Sequence, residues 1–315
     1  MHDKQALTGP VAGQEDVLSA GQPDYTSIIP PSSLCDLLDR AANNTPRRTA
    51  LYFHKRKISY RTLHEQAERI AANLRRYGLK PGDRVAIMLP NLPQTVFAFW
   101  GVIKAGGVVV MTNPLYMETE LVHHLNDSGT RFLIALDMLC PRLAALRGRV
   151  PLERVFITRV SEALSFPYNK LLELKNRREK NQPQPLFDDE YMLPWSRLVQ
   201  GTERYSHKIA DPLTSLALLQ YTGGTTGASK GVMLTHYNLS AHVFQMKTKL
   251  QIREKDYHTF MGVLPFFHVY GLIVCLLLPT SVSSSIILVP RYVPLDVLEI
   301  IKKHKPTIFP GAPAL

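Results

Sequence analysis

The sequence contains little cysteine and no long hydrophobic run, and each shortage excludes a class of protein. Its three cysteines, Cys35, Cys140 and Cys275, are far apart and form no Cys-x-x-Cys pair, which argues against a disulfide scaffold or a zinc knuckle. We expect buried, chemically passive thiols in a reducing cytoplasm. The most apolar stretch, 269–278, is about half the roughly 20 residues that cross a bilayer. Residues 1–26 lack the apolar segment of a secretory signal, so we expect a soluble protein or one that only touches a membrane.

Acidic residues are also scarce relative to basic ones. The 37 Lys and Arg exceed the 26 Asp and Glu, giving a formal charge of +11 that attracts nucleotides, coenzyme A, nucleic acid or an anionic bilayer alike. The chain lacks the interleaved aromatic and basic residues of nucleic-acid-binding modules, so we expect no nucleic acid partner. With 315 residues, 45% hydrophobic and 20% charged, it can bury a large core.

A first helix is indicated by an apolar stripe with steps of three and four residues. The stripe consists of Leu63, Ala67, Ile70, Leu74 and Tyr77. Thr62 and Glu65 have the spacing of a capping box, which predicts the helix start. Gly78 is suited to the position after the helix, where positive φ is needed.

Strand and helix patterns then alternate along the chain. Short apolar runs typical of buried strands lie at 84–89, 108–111, 131–136, 154–157, 216–221, 231–234, 258–264, 285–289 and 307–309. Helical patterns lie at 94–105, 118–125, 141–146, 237–250 and 295–304. This alternation predicts an α/β fold with layered parallel-type sheets covered by helices, in two subdomains.

Changes in composition suggest where the chain divides. Residues 1–29 are predicted to be a flexible N-terminal extension, and 30–164 a first α/β subdomain. Residues 165–211 are rich in Lys, Arg, Gln, Asn and Pro and are predicted to be a basic polar insertion or connection. Residues 212–315 are predicted to be a second α/β subdomain.

A glycine-rich run between two predicted strands, residues 221–231, is the most informative segment. Its glycines allow positive φ and close backbone approach, so that successive N–H groups can form an anion nest, while hydroxyls and a lysine add donors. An ordinary glycine hairpin is the simpler alternative, and the P-loop pattern is not met because Lys230 follows Ser229. We predict that the run holds nucleotide phosphates through Tyr221, Thr222, Gly223, Gly224, Thr225, Thr226, Gly227, Lys230 and Gly231.

This run resembles the phosphate-binding motif of the adenylate-forming superfamily, which includes acyl-CoA synthetases, luciferases and peptide-synthetase adenylation domains. The usual form is Tyr-Thr-Ser-Gly-Thr-Thr-Gly-x-Pro-Lys-Gly, from which Gly223 and Ser229 depart. Gly223 is similar to the residue found in the bacterial long-chain fatty acyl-CoA ligases. The resemblance extends from about Pro30 to Leu315 and includes 80–83, 89–93 and 103–107, which we interpret as packing and turn features.

A second motif is the aromatic–histidine segment, 264–271 (Leu-Pro-Phe-Phe-His-Val-Tyr-Gly). An isolated histidine among aromatic residues is more often packed or capping than catalytic. The resemblance implies instead that His268 positions the substrate carboxylate without acting as a general base. It also implies that Phe266, Phe267, Tyr270 and Gly271 line the acyl pocket.

The resemblance implies a long-chain fatty acid–CoA ligase that uses ATP, Mg²⁺ and coenzyme A, with no metal ligand among the predicted site residues. The later family motifs, including the adenine- and magnesium-contacting Tyr-Gly-x-Thr-Glu and the lysine of the C-terminal lid domain, do not occur in the 315 residues. We therefore expect the chain alone, as a truncated member, to have little or no ligase activity. A non-catalytic nucleotide- or lipid-binding remnant and a ligase for another carboxylic acid remain alternatives.

The basic run 171–180 joins apolar residues to a positive cluster. A solvated helix face is the simpler interpretation. The alternative is a peripheral contact with the inner face of the cytoplasmic membrane, where fatty acid could be collected. The sequence leaves open whether the cytoplasmic protein is a monomer or a homodimer.

Overall fold

The structure, a computed structural model, describes residues 25–178, 190–222, 229–253 and 255–312. Its strands are β1 Thr49–Phe53, β2 Arg56–Ser59, β3 Arg84–Met88, β4 Val108–Met111, β5 Thr130–Leu136, β6 Arg154–Thr158, β7 Met192–Pro194, β8 Leu216–Thr222, β9 Lys230–Thr235, β10 Thr259–Gly262 and β11 Ser285–Leu288. Its α-helices are α1 Tyr25–Ile28, α2 Leu34–Asn44, α3 Tyr60–Arg76, α4 Pro93–Lys104, α5 Glu118–Asp127, α6 Cys140–Ala144, α7 Tyr168–Arg178, α8 Ser196–Val199, α9 His236–Lys249, α10 Val269–Leu272, α11 Leu278–Ser281 and α12 Pro294–His304. Short 3₁₀ helices occupy Asp137–Leu139 and Val160–Ala163, and a π-helix occupies Ile273–Leu277.

Seven strands form one sheet in the order β7-β6-β5-β3-β4-β8-β9. All neighbours are parallel except β8 and β9, which pair as an antiparallel hairpin. Along β3, Val85 and Ile87 contribute to one core cluster and Ala86 and Met88 to another, so both faces of the sheet are covered. This confirms the prediction of a parallel-type sheet whose strands are continuous apolar runs.

Four strands form a second sheet in the order β10-β11-β1-β2. β1 and β2 form an antiparallel hairpin, and β1 lies parallel to β11, which comes more than 200 residues later in the chain. The strand predicted at 307–309 is reduced to a single bridge between Ile308 and Phe260, because only one residue pairs there.

The two sheets do not follow the predicted division of the chain. β1, from the predicted first subdomain, pairs with β11 of the predicted second one. Conversely β8, from the predicted second subdomain, pairs in parallel with β4 of the first. The predicted connection also contributes to the fold, since β7 forms the edge strand beside β6. The division at 165–211 therefore separates sequence segments and not sheets. Residues 1–24 of the predicted extension and 179–189 of the connection lie outside the described ranges.

α3 shows how closely the predicted helix signals match the structure. Leu63, Ala67, Ile70 and Leu74 are buried as predicted, and Gly78 follows the helix with φ of +93°. The predicted cap is wrong: the helix begins at Tyr60, and the N-cap is Ser59, whose hydroxyl accepts from the Thr62 backbone N–H. Thr62 is thus in the first turn, because an earlier serine caps the helix by accepting from the Thr62 N–H itself.

α4 is buried on every side and forms the centre of the larger core cluster. A helix that is apolar all round is expected only where packing surrounds it. Lys104, its last residue, is 0% exposed, and its ammonium is paired with the carboxylate of Asp39 in α2 at 2.5 Å. Burial raises the pKa of Asp39, but hydrogen bonds from His64 and Lys104 outweigh it, so the net pKa is lowered and the carboxylate stays charged.

All three cysteines are buried and free, as predicted. Burial raises the pKa of Cys35 to about 12 and that of Cys140 to about 11, so both stay protonated thiols near neutral pH. In the ranges that the structure covers, the helices are too short or too polar to span a membrane.

His236, at the start of α9, makes a buried contact that requires its neutral form. Its Nδ1 accepts a hydrogen bond of 3.2 Å from the Leu34 backbone N–H at the start of α2. Burial lowers the pKa of His236 to about 4, and burial lowers that of His124 in α5 to about 4 as well. In the unfolded chain each histidine takes up its proton near pH 6.5. Acidification between these values therefore favours unfolding.

We expect the free energy of unfolding to be highest above pH 6.5 and to fall on acidification to about pH 4 by on the order of 3 kcal/mol per histidine. His236→Gln should lose clearly less stability over this range, because glutamine does not titrate. His242→Gln, an exposed change on the same helix, is the matched control. Urea unfolding at several pH values measures this, and equal pH dependence in all three proteins would contradict it.

Candidate functional site

The glycine-rich run connects β8 to β9 at the carboxyl edge of the seven-stranded sheet. Tyr221 pairs with Gly231 and Thr222 with Lys230, so the two flanks of the run form the end of a hairpin. Ligands of parallel α/β sheets usually bind beyond this edge. The predicted phosphate ligands Gly223, Gly224, Thr225, Thr226 and Gly227 lie outside the described residues.

α5 holds both flanks of the run. The Tyr221 hydroxyl donates to Asp127 Oδ2 at 2.5 Å, and His123 Nε2 donates to the Ser229 carbonyl at 3.1 Å. His123 and Asp127 are four residues apart and therefore share one face of the helix. One face of α5 thus holds Tyr221 and Ser229, the residues on either side of the glycines of the run.

Tyr221 lies near the end of β8, just before the glycines of the run. Burial, followed by the hydrogen bond to Asp127, raises the pKa of its phenol, so it remains a donor. A Cβ atom at Gly231 would lie only 3.0 Å from Tyr221 Cζ, so a side chain there would displace the ring. Tyr221 and Gly231 are brought together here, and their contact with phosphate remains a prediction. Thr222 and Lys230 are exposed and form the last strand pair of the hairpin before the connection between β8 and β9.

The ring of His124 packs against Tyr221, with centroids 4.1 Å apart. The Thr112 hydroxyl donates to the Val110 carbonyl and therefore accepts from His124 Nε2 at 3.0 Å. Burial lowers the pKa of His124 to about 4, so the ring is neutral near pH 7, and the hydrogen bond to Thr112 places its proton on Nε2. Thr112, at the carboxyl end of β4, is thereby linked through His124 to Tyr221.

The aromatic–histidine segment follows β10. His268 is the N-cap residue of α10, its side chain is exposed, and its imidazole makes no hydrogen bond to any residue that the structure describes. The ring of Phe267 lies 4.9 Å from it. The imidazole therefore has both nitrogens available for a ligand, as the predicted positioning role requires.

The other predicted pocket residues differ in exposure. Phe266 is 1% exposed and belongs to the core cluster, whereas Phe267 is half-buried. Tyr270 is 49% exposed and donates to the Gly311 carbonyl at 3.3 Å. A Cβ atom at Gly271 would lie 2.3 Å from the Pro265 carbonyl oxygen, so glycine is required by this close approach. Of the predicted pocket residues, Phe267 and Tyr270 therefore have side-chain surface that a ligand could contact.

Two amide side chains that the sequence reasoning did not select bring these motifs together. Gln220 Nε2, on β8, donates to the Phe267 carbonyl at 3.0 Å, which places the end of the strand that leads into the glycine-rich run beside the aromatic–histidine segment. Asn91 Nδ2 donates to the Gly262 and Leu264 carbonyls, and its Oδ1 accepts from Phe266 N–H. A glutamine inside an apolar strand pattern was the available signal for Gln220.

The comparisons with known proteins agree with this geometry. A family model described as "AMP-binding enzyme" matches residues 38–315, and the chain belongs to that family. The resemblance drawn from the glycine-rich run is therefore confirmed.

Similar proteins include long-chain-fatty-acid–CoA ligases. That of Bacillus subtilis (strain 168) is 38% identical over 287 residues, covering 91% of this chain and 51% of the ligase. That of Haemophilus influenzae is 34% identical over 270 residues, covering 82% and 47%. Among solved structures, the long-chain-fatty-acid-CoA ligase from Archaeoglobus fulgidus has a TM-score of 0.70 at 26% identity, covering 89% of this chain and 51% of that one. The chain spans about half the length of these relatives.

The contacts of α5 lead to a prediction about the predicted ligand, ATP. Asp127→Ala and His123→Ala should each weaken ATP binding about tenfold, because each removes one hydrogen bond that holds a flank of the run. Asn126→Ala is the matched control, since this exposed neighbour donates instead to the Arg149 carbonyl. Calorimetric titration with ATP measures the effect. Unchanged affinity in both variants would show that α5 does not position the run.

Proposed function

We propose that this chain carries the ATP- and acyl-binding part of a long-chain fatty acid–CoA ligase. The observation that carries the proposal is the 38% identity to the Bacillus subtilis long-chain-fatty-acid–CoA ligase along 91% of the chain. The contact between Gln220 and Phe267 supports it, because an adenylating site needs ATP phosphates and substrate carboxylate side by side.

The proposed reaction has two steps. A carboxylate oxygen of the fatty acid attacks the α-phosphorus of ATP, pyrophosphate leaves, and an acyl-adenylate forms. The thiolate of coenzyme A then attacks the acyl carbonyl carbon, and AMP leaves as the thioester forms. Neither attack requires a general base once the carboxylate and thiolate are ionised, so positioning and neutralisation of charge are the main demands on the protein.

The residues divide into two roles. The glycine-rich run and Lys230 would bind the phosphates through backbone N–H groups, hydroxyls and one ammonium. His268 would donate a hydrogen bond to the substrate carboxylate and hold it toward the α-phosphorus, while Phe267 and Tyr270 supply apolar surface. His268 and Tyr270 are exposed and Phe267 is half-buried, which supports this assignment.

Magnesium is proposed to bind with the nucleotide. In the part of the chain that the structure covers, no three His, Cys, Asp or Glu side chains are grouped as metal ligands. Protein-bound Mg²⁺ is commonly held by substrate phosphates and only one or two carboxylates, so the residues present are compatible with Mg-ATP. The ion would neutralise phosphate charge.

A ligase for another carboxylic acid remains a second candidate. A probable 4-coumarate–CoA ligase of Dictyostelium discoideum is 29% identical over 91% of this chain, and an anthranilate CoA ligase has a TM-score of 0.67 at 25% identity. The non-catalytic binding remnant is a third candidate.

Palmitate-dependent exchange of labelled pyrophosphate into ATP, together with palmitoyl-CoA formation, tests the proposal. Exchange with palmitate but not with 4-coumarate would support the long-chain assignment. ATP binding with neither exchange nor palmitate binding would favour the remnant. Our prediction that the 315-residue chain alone makes little or no thioester is tested in the same assay, and rapid palmitoyl-CoA formation would refute it.

His268→Ala should lower palmitate-dependent exchange about 10- to 100-fold, because a hydrogen bond to a charged carboxylate is lost. ATP affinity should stay unchanged, which separates this role from a general folding defect. If the purified chain shows no exchange, palmitate affinity measured in the presence of ATP replaces it. His242→Ala is the matched control. Unaltered exchange or palmitate affinity in His268→Ala would remove the positioning role.

Peripheral membrane contact through 171–180 is a further part of the proposal. On α7, Leu171 is 58% and Leu174 is 50% exposed, and Phe166 just before it is 79% exposed. Apolar side chains beside a basic run suit an anionic bilayer surface. The cytoplasmic location and the choice between monomer and homodimer also remain predictions.

Leu171→Glu should reduce binding to phosphatidylglycerol vesicles severalfold, because a carboxylate would enter the lipid headgroups. Leu115→Glu, at an 80% exposed leucine elsewhere, is the matched control. Vesicle sedimentation measures this. Equal partitioning onto phosphatidylglycerol and phosphatidylcholine vesicles would count against the contact.

A further inference from the structure

A crevice separate from the proposed ATP and acyl sites opens beyond the carboxyl ends of β6 and β7. It has a volume of about 380 Å³, within the range of small-molecule sites. None of its lining residues belongs to the glycine-rich run or to the aromatic–histidine segment. The lining consists of Arg56, Gln66, Pro93, Gln94, Phe97, Glu162, Trp195, Ser196 and Val199.

The side chain of Gln94 leaves one buried acceptor without a partner. Its Nε2 donates to Thr158 Oγ1 at 3.2 Å and to the Arg159 carbonyl at 3.0 Å. Because that carbonyl can only accept, the orientation of the amide is fixed. Gln94 is 2% exposed, and its Oε1 has no hydrogen-bond partner in the described part of the chain. An unpaired buried acceptor is costly, so a ligand N–H donor that reached this oxygen would be favoured.

Two charged groups of opposite sign lie beside this amide. Glu162 Oε2 accepts from Thr158 Oγ1 at 2.6 Å, so Thr158 joins Gln94 to Glu162. Arg56 Nη1 donates to the carbonyls of Glu162 and Ala163 at 3.4 and 3.1 Å. Burial lowers the pKa of Arg56, so an anion beside the guanidinium would offset the cost of desolvating it.

The remaining walls are apolar. Phe97 and Trp195 are each 5% exposed, and Pro93 and Val199 complete this side. The crevice thus offers an arginine to a carboxylate, an amide oxygen and a glutamate to an ammonium, and an apolar surface to a side chain. We propose that it binds a free amino acid with an apolar side chain. The proposal stands independently of the ligase function.

L-phenylalanine is the probe, compared with 3-phenylpropionate, which lacks the ammonium, and 2-phenylethylamine, which lacks the carboxylate. Trp195 lines the crevice whereas Trp100 is fully buried, so tryptophan fluorescence reports on it directly. We expect saturable binding of L-phenylalanine, with each analogue at least about tenfold weaker. Saturating palmitate and ATP should not displace it, which distinguishes the crevice from the proposed active site.

Arg56→Gln should weaken L-phenylalanine at least about tenfold and leave 2-phenylethylamine unchanged, a difference that misfolding would not produce. Lys57→Gln removes the same charge from the neighbouring residue of β2 and should change neither. Absence of saturable binding up to about 10 mM, measured by fluorescence and by calorimetry, would overturn the proposal. Equal affinity for the three probes, or displacement by palmitate, would overturn it as well.

Discussion

The arrangement of the whole site depends on the buried amide of Asn91. It follows β3 of the seven-stranded sheet, is 3% exposed, and bonds three backbone groups at and just after the end of β10 in the other sheet. Those backbone groups lie away from water and have to be paired, so the amide fixes where one sheet edge meets the other. The aromatic–histidine segment is held beside the end of β8, the strand that leads into the glycine-rich run. Gln220 completes the junction from β8.

Charge is distributed unevenly through the interior. Lys104 is buried but paired with Asp39, which in turn accepts from His64, so a charged group survives burial because it has partners. His124 and His236 are buried, make no hydrogen bond to a carboxylate in the described part of the chain, and are neutral near pH 7 because burial lowers the pKa of each to about 4. A buried group thus stays charged where it has a partner of opposite charge, as Lys104 does with Asp39 of α2, and is neutral where it has none. The proposed phosphate site depends on one of these neutral histidines, because the ring of His124 packs against Tyr221.

Local signals predicted most of the central elements. The stripe on α3, the glycine after it and the apolar runs of β3 to β6 each come from residues close together in the sequence, where sterics and burial act directly. The start of α3 was missed because Ser59 caps it ahead of Thr62. α2, β1 and β2 were not predicted. Part of the reason is that β1 is completed by pairing with β11, whose distance along the chain leaves no local signal.

The sequence by itself determined the family, the α/β class, the identity of the glycine-rich run and the selection of His268, because motifs and periodicity are properties of neighbouring residues. Only the tertiary structure decided which sheet each strand joins, since hydrogen bonding between strands is indifferent to their separation along the chain. It also decided that α5 holds both flanks of the run, that Asn91 joins the two sheets, and that Gln94 leaves an unpaired oxygen in a crevice. These roles arise from contacts between distant residues, and a side chain acquires them only when folding supplies its partner.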